Sequence, residues 1–597
     1  MKKLRIFTFV LVACLVLSTF TACDIGNIIP GLGNDDVTEA PNNGSAVTNR
    51  KPKVEKEEED DESDEIDESD ADDNDTSDSE EYTLNDETEA VIETETDDRF
   101  EYGAISDDEC QILKYFGNET SVTIPSESPS GKKVVIVGGF GNCSAIESVI
   151  IPDGVVSINE YAFAECTLLN EIIIPDSVVF IYSDAFSGCT SLESIKIPNG
   201  VEYIYESAFG NCTGLVSVDI PDSVKLIGNW AFMNCASLKS VTISKSVTEI
   251  RYMAFSYCPS LESIVVDENN PVYHSSGNCL IATERNMLVL GCKNSVIPSD
   301  GSVTGIDSYA FEGCYDLTGI TIPNTVKSIG GSAFAYCNSL TDITIPDSVL
   351  SIGDCAFVYC YGLADVELPK SVEYIGERVF ECCTNLESIT VDENNTVYHS
   401  YENCIIETES KTLISGLKNS VIPSDGSVAI IANSAFECCS GLTYIMIPNS
   451  VKEIGERAFY YCEDLVSVEF EENSSVASIG EEAFEGCSGI TVIELPDSIT
   501  SIENHAFFNC RGLTWVEIPN NVTKIGDGAF SWCAGLVGII IGDGVTSIGE
   551  YAFYGCTNIT DIYYRGTEEQ WNEIKKGLFW YPDTPGGYSV YYDFSGK

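Results

Sequence analysis

Basic side chains are scarce. Of 597 residues only 31 are Lys or Arg, against 95 Asp or Glu, for a formal net charge of −64. So acidic a chain has no basic footprint for the phosphates of nucleic acid, and none is expected as a partner. It is equally unsuited to docking on anionic lipid by surface charge. Histidine is scarcer still, with His274, His399 and His505 the whole set. No zinc-ligand spacing, P-loop, Gly-x-Gly-x-x-Gly or Gly-x-Ser-x-Gly occurs, which leaves no motif for metal-assisted, nucleotide or hydrolase chemistry. The acidic run offers no calcium loop. Frames starting at Asp72 or Asp73 lack Gly at the sixth position, and Thr83 or Leu84 stands where the closing Glu belongs. No catalytic residue, metal or cofactor is expected, and no enzyme. Long apolar runs are missing too, apart from 6–17 behind Lys2, Lys3 and Arg5. That run reads as a secretory signal, too short to span a bilayer as a mature helix.

What the sequence has instead is a period. The stretch 221–243, PDSVKLIGNWAFMNCASLKSVTI, recurs along most of the chain with a step of 23. Phe140, Phe163, Phe186, Phe209, Phe232 and Phe255 follow that step, as do Phe311 to Phe380, Phe436 to Phe459 and Phe484 to Phe553. All sixteen of these Phe have Cys three residues on, from Cys143 to Cys556. A fixed period of this size is the signature of a solenoid. In one repeat, Leu215, Val218 and Ile220 alternate with polar Ser217 and Asp219, which predicts a short strand with one buried face. Pro221 ends it, Asp222 and Ser223 turn the chain, and Val224 to Ile227 form a second short extended piece closed by Gly228. Ala231, Phe232 and Cys235 have the spacing of a single helical or 3₁₀ turn. One repeat cannot bury these side chains, but stacked copies can. Parallel pairing at about 4.8 Å per coil predicts a body roughly 75 Å long.

The motif IPDSVxxIGxxAFxxCxxLxxIxIP resembles the 23-residue leucine-rich repeat of the BspA type, found in bacterial surface proteins. Residues 345–360 and 518–533 carry it closely, and the resemblance covers 140 to 563. It implies a leucine-rich-repeat solenoid of stacked coils with short parallel strands and single helical or 3₁₀ turns, capped at both ends. It also implies a cell-surface adhesion scaffold and leaves the ligand open, because the repeat carries different binding surfaces.

The chain divides accordingly. Residues 1–22 are the signal. Phe20, Thr21, Ala22 and Cys23 resemble the bacterial lipobox, with Phe20 where Leu is usual, which implies lipidation of Cys23 and a membrane held only through that lipid. Residues 23–100 then form an acidic linker with few apolar residues, extended by like charge and able to reach roughly 250 Å. Residues 101–139 are an N-terminal cap, 140–560 the solenoid and 561–597 a C-terminal cap. Two steps of 56 interrupt the solenoid, from Phe255 to Phe311 and from Phe380 to Phe436. The insertions, about 266–298 and 391–423, resemble each other: VDENN at 266 recurs at 391 and VYHS at 272 recurs at 397. Each is expected to hold a small hairpin. A smaller irregularity adds two residues at 471–475.

The 25 cysteines of an exported protein would suggest disulfides, but sixteen occupy one inward ladder position, so a reduced, buried ladder is expected. A bridge from Cys279 to Cys292 finds no counterpart in the second insertion, where Leu417 replaces the second Cys. Ligands of solenoids lie along the outward strand residues. Early coils present small residues there, such as Ser217 and Asp219. Later coils present Tyr444, Met446, Glu469, Glu494, Trp515 and Glu517, aromatic and acidic together, which suits an extracellular protein or peptide of basic character. Two other readings stay open. One is glycan capture through Tyr273, Tyr398 or Trp580 for a nutrient-uptake system, and the other is a structural spacer in the envelope.

Overall fold

The computed structural model describes residues 93–595. The signal, Cys23 and the linker up to residue 92 lie outside the described residues. From Glu93 on, the chain winds into stacked coils whose strands pair in parallel with partners 23 residues away. Ser240 lies against Ser217 and Ser263, and Leu226 against Tyr203 and Glu249. The register follows from burial. In Ser217–Asp219 only Val218 faces inward, and a slip of one residue would put both polar neighbours in the core.

The anchor turn holds the coils together. Phe232 is fully buried and stacks between Phe209 and Phe255, each at 5.2 Å between ring centroids. Its N–H donates to Ala254 O of the next coil at 2.8 Å, and its carbonyl accepts the Cys258 thiol at 3.3 Å. Thirteen ladder thiols donate in this way to the Phe carbonyl of the preceding coil, at 2.9 to 3.3 Å. Cysteine at this position is therefore more than a small hydrophobe: its S–H adds an inter-coil bond to a buried carbonyl that in most coils already accepts its own coil's Cys amide, as Cys212 N–H to Phe209 O at 3.3 Å. The single turn expected over Ala-Phe-x-x-Cys is closed by Ala231 N–H to Gly228 O at 3.3 Å. It does not propagate, because Trp230 and Asn234 on either side are left-handed, with φ of 55° and 57°. The amides of Trp230, Phe232 and Asn234 all reach the next coil instead. Gly228 is required by approach: a Cβ there would sit 2.6 Å from the Tyr205 carbonyl carbon.

The second-strand ladder runs in three long sheets, and each begins with an antiparallel three-stranded meander. The first meander is Thr94–Thr96, Phe100–Ala104 and Glu109–Tyr115; the second is Tyr273–Ser276, Cys279–Ala282 and Met287–Leu290; the third is Tyr398–Tyr401, Cys404–Glu407 and Thr412–Ser415. Each then pairs in parallel with the coils that follow. The insertions thus hold one strand more than the hairpin expected, and they repeat the architecture of the N-terminal cap. That cap also begins earlier than residue 101, within the stretch expected to be linker. Phe100 and Tyr115 close the ladder by packing on Phe140 at 6.1 and 5.0 Å. At the other end, Thr567 caps the short helix Glu568–Glu573 in a capping box with Gln570. Trp571 and Tyr564 are buried beneath the last strand, Ser589–Tyr591.

All 23 cysteines of the described residues are free thiols, Cys279 and Cys292 included. Burial pushes the Cys166 thiol up to about 12, so the ladder stays protonated and inert at neutral pH. Two outcomes are expected. Phe334, fully buried and stacked on Phe311 and Phe357, should cost about 3–5 kcal/mol on replacement by Ala; unchanged denaturant unfolding would contradict the ladder. Thiol counts in denaturant should be equal with and without reductant, and a large rise after reduction would contradict a free-thiol ladder.

Candidate functional site

Inter-coil register sorts the six outward residues into two rows. Tyr444 belongs to the row that runs through Ser467, Val492, Trp515 and Gly538, and Met446 to the row through Glu469, Glu494, Glu517 and Ile540. Three carboxylates therefore stand in successive coils. The rows are not continuous. Tyr444–Ile447 pairs with Ser467–Phe470, and Val492–Glu494 pairs with Trp515–Ile518, but no ladder joins the two pairs. The extra residues at 471–475 lie beside this break and line a groove of about 830 Å³. Glu469, Glu471, Glu472, Glu494 and Asp497 all line it.

The six residues differ in freedom. Tyr444 is 46% exposed and donates its hydroxyl to Glu469 at 3.0 Å. Met446 is half-buried, and Glu469 and Glu494 are exposed. Glu517 and Trp515 depart from the expectation of free ligand-binding groups. Glu517 is paired with the Arg565 guanidinium, two coils further on. Trp515 is half-buried and lies over Gly538, where a Cβ would sit 2.3 Å from its ring, with Tyr563 at 5.9 Å. It belongs to an aromatic row that continues through Tyr563 to Tyr591 and Phe594.

The insertions are built for structure. Asn270 donates to the carbonyls of Ser244 and Val247 and accepts from the amides of Val272 and Tyr273. Asn395 repeats the same four bonds. Tyr273 and Tyr398 are buried, their hydroxyls accepting from Ile250 and Ile375 N–H, so neither can stack on a sugar. Trp580 packs on Trp571, Tyr581 and Tyr588. His274 and His399 each bond a Thr hydroxyl at 2.9 Å.

A second surface escapes the strand-face reading. The residue two after each anchor Phe is left-handed and lies on one ridge. Tyr336 stacks on Tyr359 there at 4.7 Å and meets a tilted Tyr257 ring at 5.5 Å, followed by Cys382, Cys438 and Tyr461. Repeat position alone could have found this ridge, since it is the Phe+2 column of the sequence. Where the ridge crosses the insertions, buried carboxylates appear. Glu312 is fully enclosed, accepts the Tyr257 hydroxyl at 3.2 Å, and is pushed up to about 8 by burial. Two groups of side chains have metal-ligating atoms within 4.8 Å of one another: Glu381 with Cys382 and Cys438 at the ridge, and, before the next anchors, the exposed Glu481 with the half-buried Glu482 and His505.

The family profile of the BspA type leucine rich repeat region matches residues 137–270, 304–413, 411–511 and 477–582. Solved structures are similar in fold. A leucine rich cell surface protein of Faecalibacterium prausnitzii is 27% identical, with 81% of this chain and 97% of that one covered at a TM-score of 0.38. A leucine-rich repeat protein of Bacteroides ovatus is 23% identical, covering 83% and 99% at 0.36. The leucine rich repeat protein of T. pallidum is 26% identical, covering 42% and 92% at 0.26. No curated protein matches the sequence.

The titration of Glu312 gives a testable sign. Its folded value, about 8, lies above that of an unfolded Glu, near 4.3, so the folded state keeps a proton that the unfolded state releases. The stability this proton confers is whole below pH ~4.3 and is lost as pH rises toward 8. In Glu312→Gln the decline of unfolding free energy between pH 5 and 8 should be shallower than in the wild type; an identical slope in chemical denaturation would contradict the assignment.

Proposed function

The chain belongs to the BspA type leucine-rich-repeat family, and from that premise we propose that it is an exported surface lipoprotein whose strand face binds a basic protein or peptide. The signal at 1–22 directs export, and Cys23 carries the lipid. The acidic stretch before residue 93 carries the solenoid outward. The solenoid acts as a scaffold without chemistry of its own.

The groove is the observation that carries this reading. Five carboxylates line an opening in the strand face, bordered by the exposed Tyr444 and half-buried Met446. Such an opening suits an extended segment rich in Lys or Arg, with Tyr444 as the apolar contact. Glu517 and Trp515 flank the groove as part of its frame, because each is engaged within the solenoid. Charge of one sign concentrated in a cleft speeds capture of the opposite sign and makes it dependent on salt. The glycan reading is weakened by the burial of Tyr273 and Tyr398.

The test uses a fragment from Glu93 onward, screened against extracellular proteins and Lys/Arg-rich peptides at low and high salt. Binding should weaken with salt and fall at least tenfold in Glu469→Gln/Glu494→Gln, while Trp580→Ala binds as the wild type does. Binding indifferent to the double substitution would contradict the site, and glycan binding lost in Trp580→Ala would move it to the C-terminal cap. For the anchor, radioactive fatty acid should label the wild type and not Cys23→Ala; label retained in the variant would contradict lipidation.

A further inference from the structure

The second junction of the solenoid is short of bonds. The coil of the insertion has Gly416 where an anchor Phe would stand, and the Phe436 ring fills the space: a Cβ on Gly416 would lie 2.1 Å from it. That coil makes no anchor turn, so the turn around Phe380 faces the turn around Phe436 directly. One coil earlier, the amides of Cys355, Phe357 and Tyr359 donate to Glu377, Val379 and Glu381 at 2.9, 2.9 and 3.0 Å. Among the described residues, the equivalent amides of Arg378, Phe380 and Cys382 donate to no carbonyl across the junction. The first junction keeps one such bond, Tyr257 N–H to Glu312 O at 3.2 Å.

A cluster of ligating groups occupies this gap. Cys382 and Cys438 are half-buried and both left-handed at φ of 55° and 54°. Both Sγ atoms and a carboxylate oxygen of Glu381 lie within 4.8 Å of one another. They line a cavity of about 40 Å³ together with Arg378 and Glu437, room for an ion and a water. The two carboxylate side chains are only 2% and 3% exposed. Arg378 braces both: its Nε meets Glu381 Oε2 and its Nη2 meets Glu437 Oε1 at 3.3 Å. Arg457 Nη1 adds a contact to the same Glu437 oxygen at 3.7 Å. Each carboxylate therefore keeps one oxygen away from the arginines. Glu381 Oε1 faces the Cys382 thiol at 3.8 Å, and Glu437 Oε2 is buried with no partner at all.

We propose that Cys382, Cys438 and Glu381 form a site for a zinc-class divalent cation that staples the second junction. Two sulfur ligands with one carboxylate select zinc over calcium or magnesium, which take oxygen alone. Three protein ligands leave a fourth position for a water in the cavity. Charge is balanced in the bound state: the arginines offset the two carboxylates, and two thiolates offset the ion. Arg378 orients the ligating carboxylate from behind, as outer partners of metal ligands do. Both thiols lose their protons on binding, so two protons are released per ion. At the first junction the same ridge positions hold Tyr257 and Gly313, which offer no thiol, and there the backbone bond survives. The ion would thus sit at the junction that lacks its own backbone link.

The test titrates reduced, metal-stripped full-length protein with Co²⁺ as a spectroscopic probe, followed by competition with Zn²⁺. One equivalent should give a sulfur-to-metal charge-transfer band, release two protons and be displaced by Zn²⁺. The band should vanish in Cys382→Ser/Cys438→Ser, affinity should fall at least tenfold in Glu381→Gln, and Cys143→Ser should bind as the wild type does. Zn²⁺ should raise the Tm of the wild type and not that of the double variant. If the double variant fails to fold, Cys438→Ala carries the test, with far-ultraviolet circular dichroism as the check on folding. No charge-transfer band in the folded wild type would overturn the proposal, as would a band undiminished in the variants. So would a Cys382–Cys438 disulfide in protein prepared with Zn²⁺ present, which would make the pair a redox clasp.

Discussion

Every coil depends on the peptide group of its anchor Phe. The ring stacks on its neighbours at about 5 Å, the N–H donates to an Ala carbonyl one coil on, and the carbonyl accepts a thiol from that same coil. In most coils that carbonyl also accepts the amide of the Cys three residues on, as Cys189 N–H to Phe186 O at 3.1 Å, so the thiol fills its second lone pair and ties it to the next coil. Rings, amides and thiols share one translation, so the repeat must keep its 23-residue step. Strand register, the approach of Gly228 to the coil before it and the inward facing of Val and Ile follow from that step. The strands of the regular coils, two to four residues long, are too short to hold the body together alone.

The same ladder defines where the solenoid begins again. Three hydrophobic clusters follow one another, from Phe100 to Cys292, from Cys279 to Leu417 and from Cys404 to Ile574. Each starts with a three-stranded antiparallel meander that gives the first parallel coil an edge to pair with. The exceptions to the thiol bond fall at the three starts: Cys143 and Cys439 have no Phe carbonyl to donate to, and Cys314 reaches only Gly291 O at 4.0 Å. Chemistry collects where the ladder is interrupted. Glu312 at one junction and Glu381 and Glu437 at the other are buried carboxylates, which the regular coils lack among the described residues, and Cys382 and Cys438 stand half-buried beside the latter pair. On the strand face the two-residue irregularity at 471–475 lies on the acidic groove, which Glu471, Glu472 and Asn473 help to line.

Much of this is written in the sequence because the period is. The Phe and Cys columns, both strands, the short C-terminal helix, the last strand and the kinship of the two insertions can be read from spacing alone. What spacing cannot give is the sense of a turn. Ala, Phe and Cys at helical intervals fit a helical turn, but the left-handed Trp230 and Asn234 send alternate amides to the next coil. The third strand of each insertion was hidden because Tyr273–Ser276 shares its polar character with a loop. Thr94–Thr96 was hidden at the edge of an acidic run. Among the candidate ligand residues, Tyr444, Met446, Glu469 and Glu494 lie where alternation puts them. Trp515 and Glu517 are outward too, but Tyr563 and Arg565, 48 residues further on, engage them. Cys382 and Cys438 are 56 residues apart, and only the absence of an anchor turn between them brings the thiols together.

Amide hydrogen exchange along the anchor turns is the most direct test of this account. Phe amides bonded to the next coil, such as Phe209, Phe334 and Phe507, should exchange slowest of all, within three blocks of similar protection. Phe255 and Phe380, whose amides meet no carbonyl across their junctions among the described residues, should exchange much faster than their neighbours and mark the block boundaries. Uniform protection through residues 255 and 380, or anchor amides exchanging faster than strand amides such as Val218, would contradict a solenoid held by its Phe ladder and restarted twice.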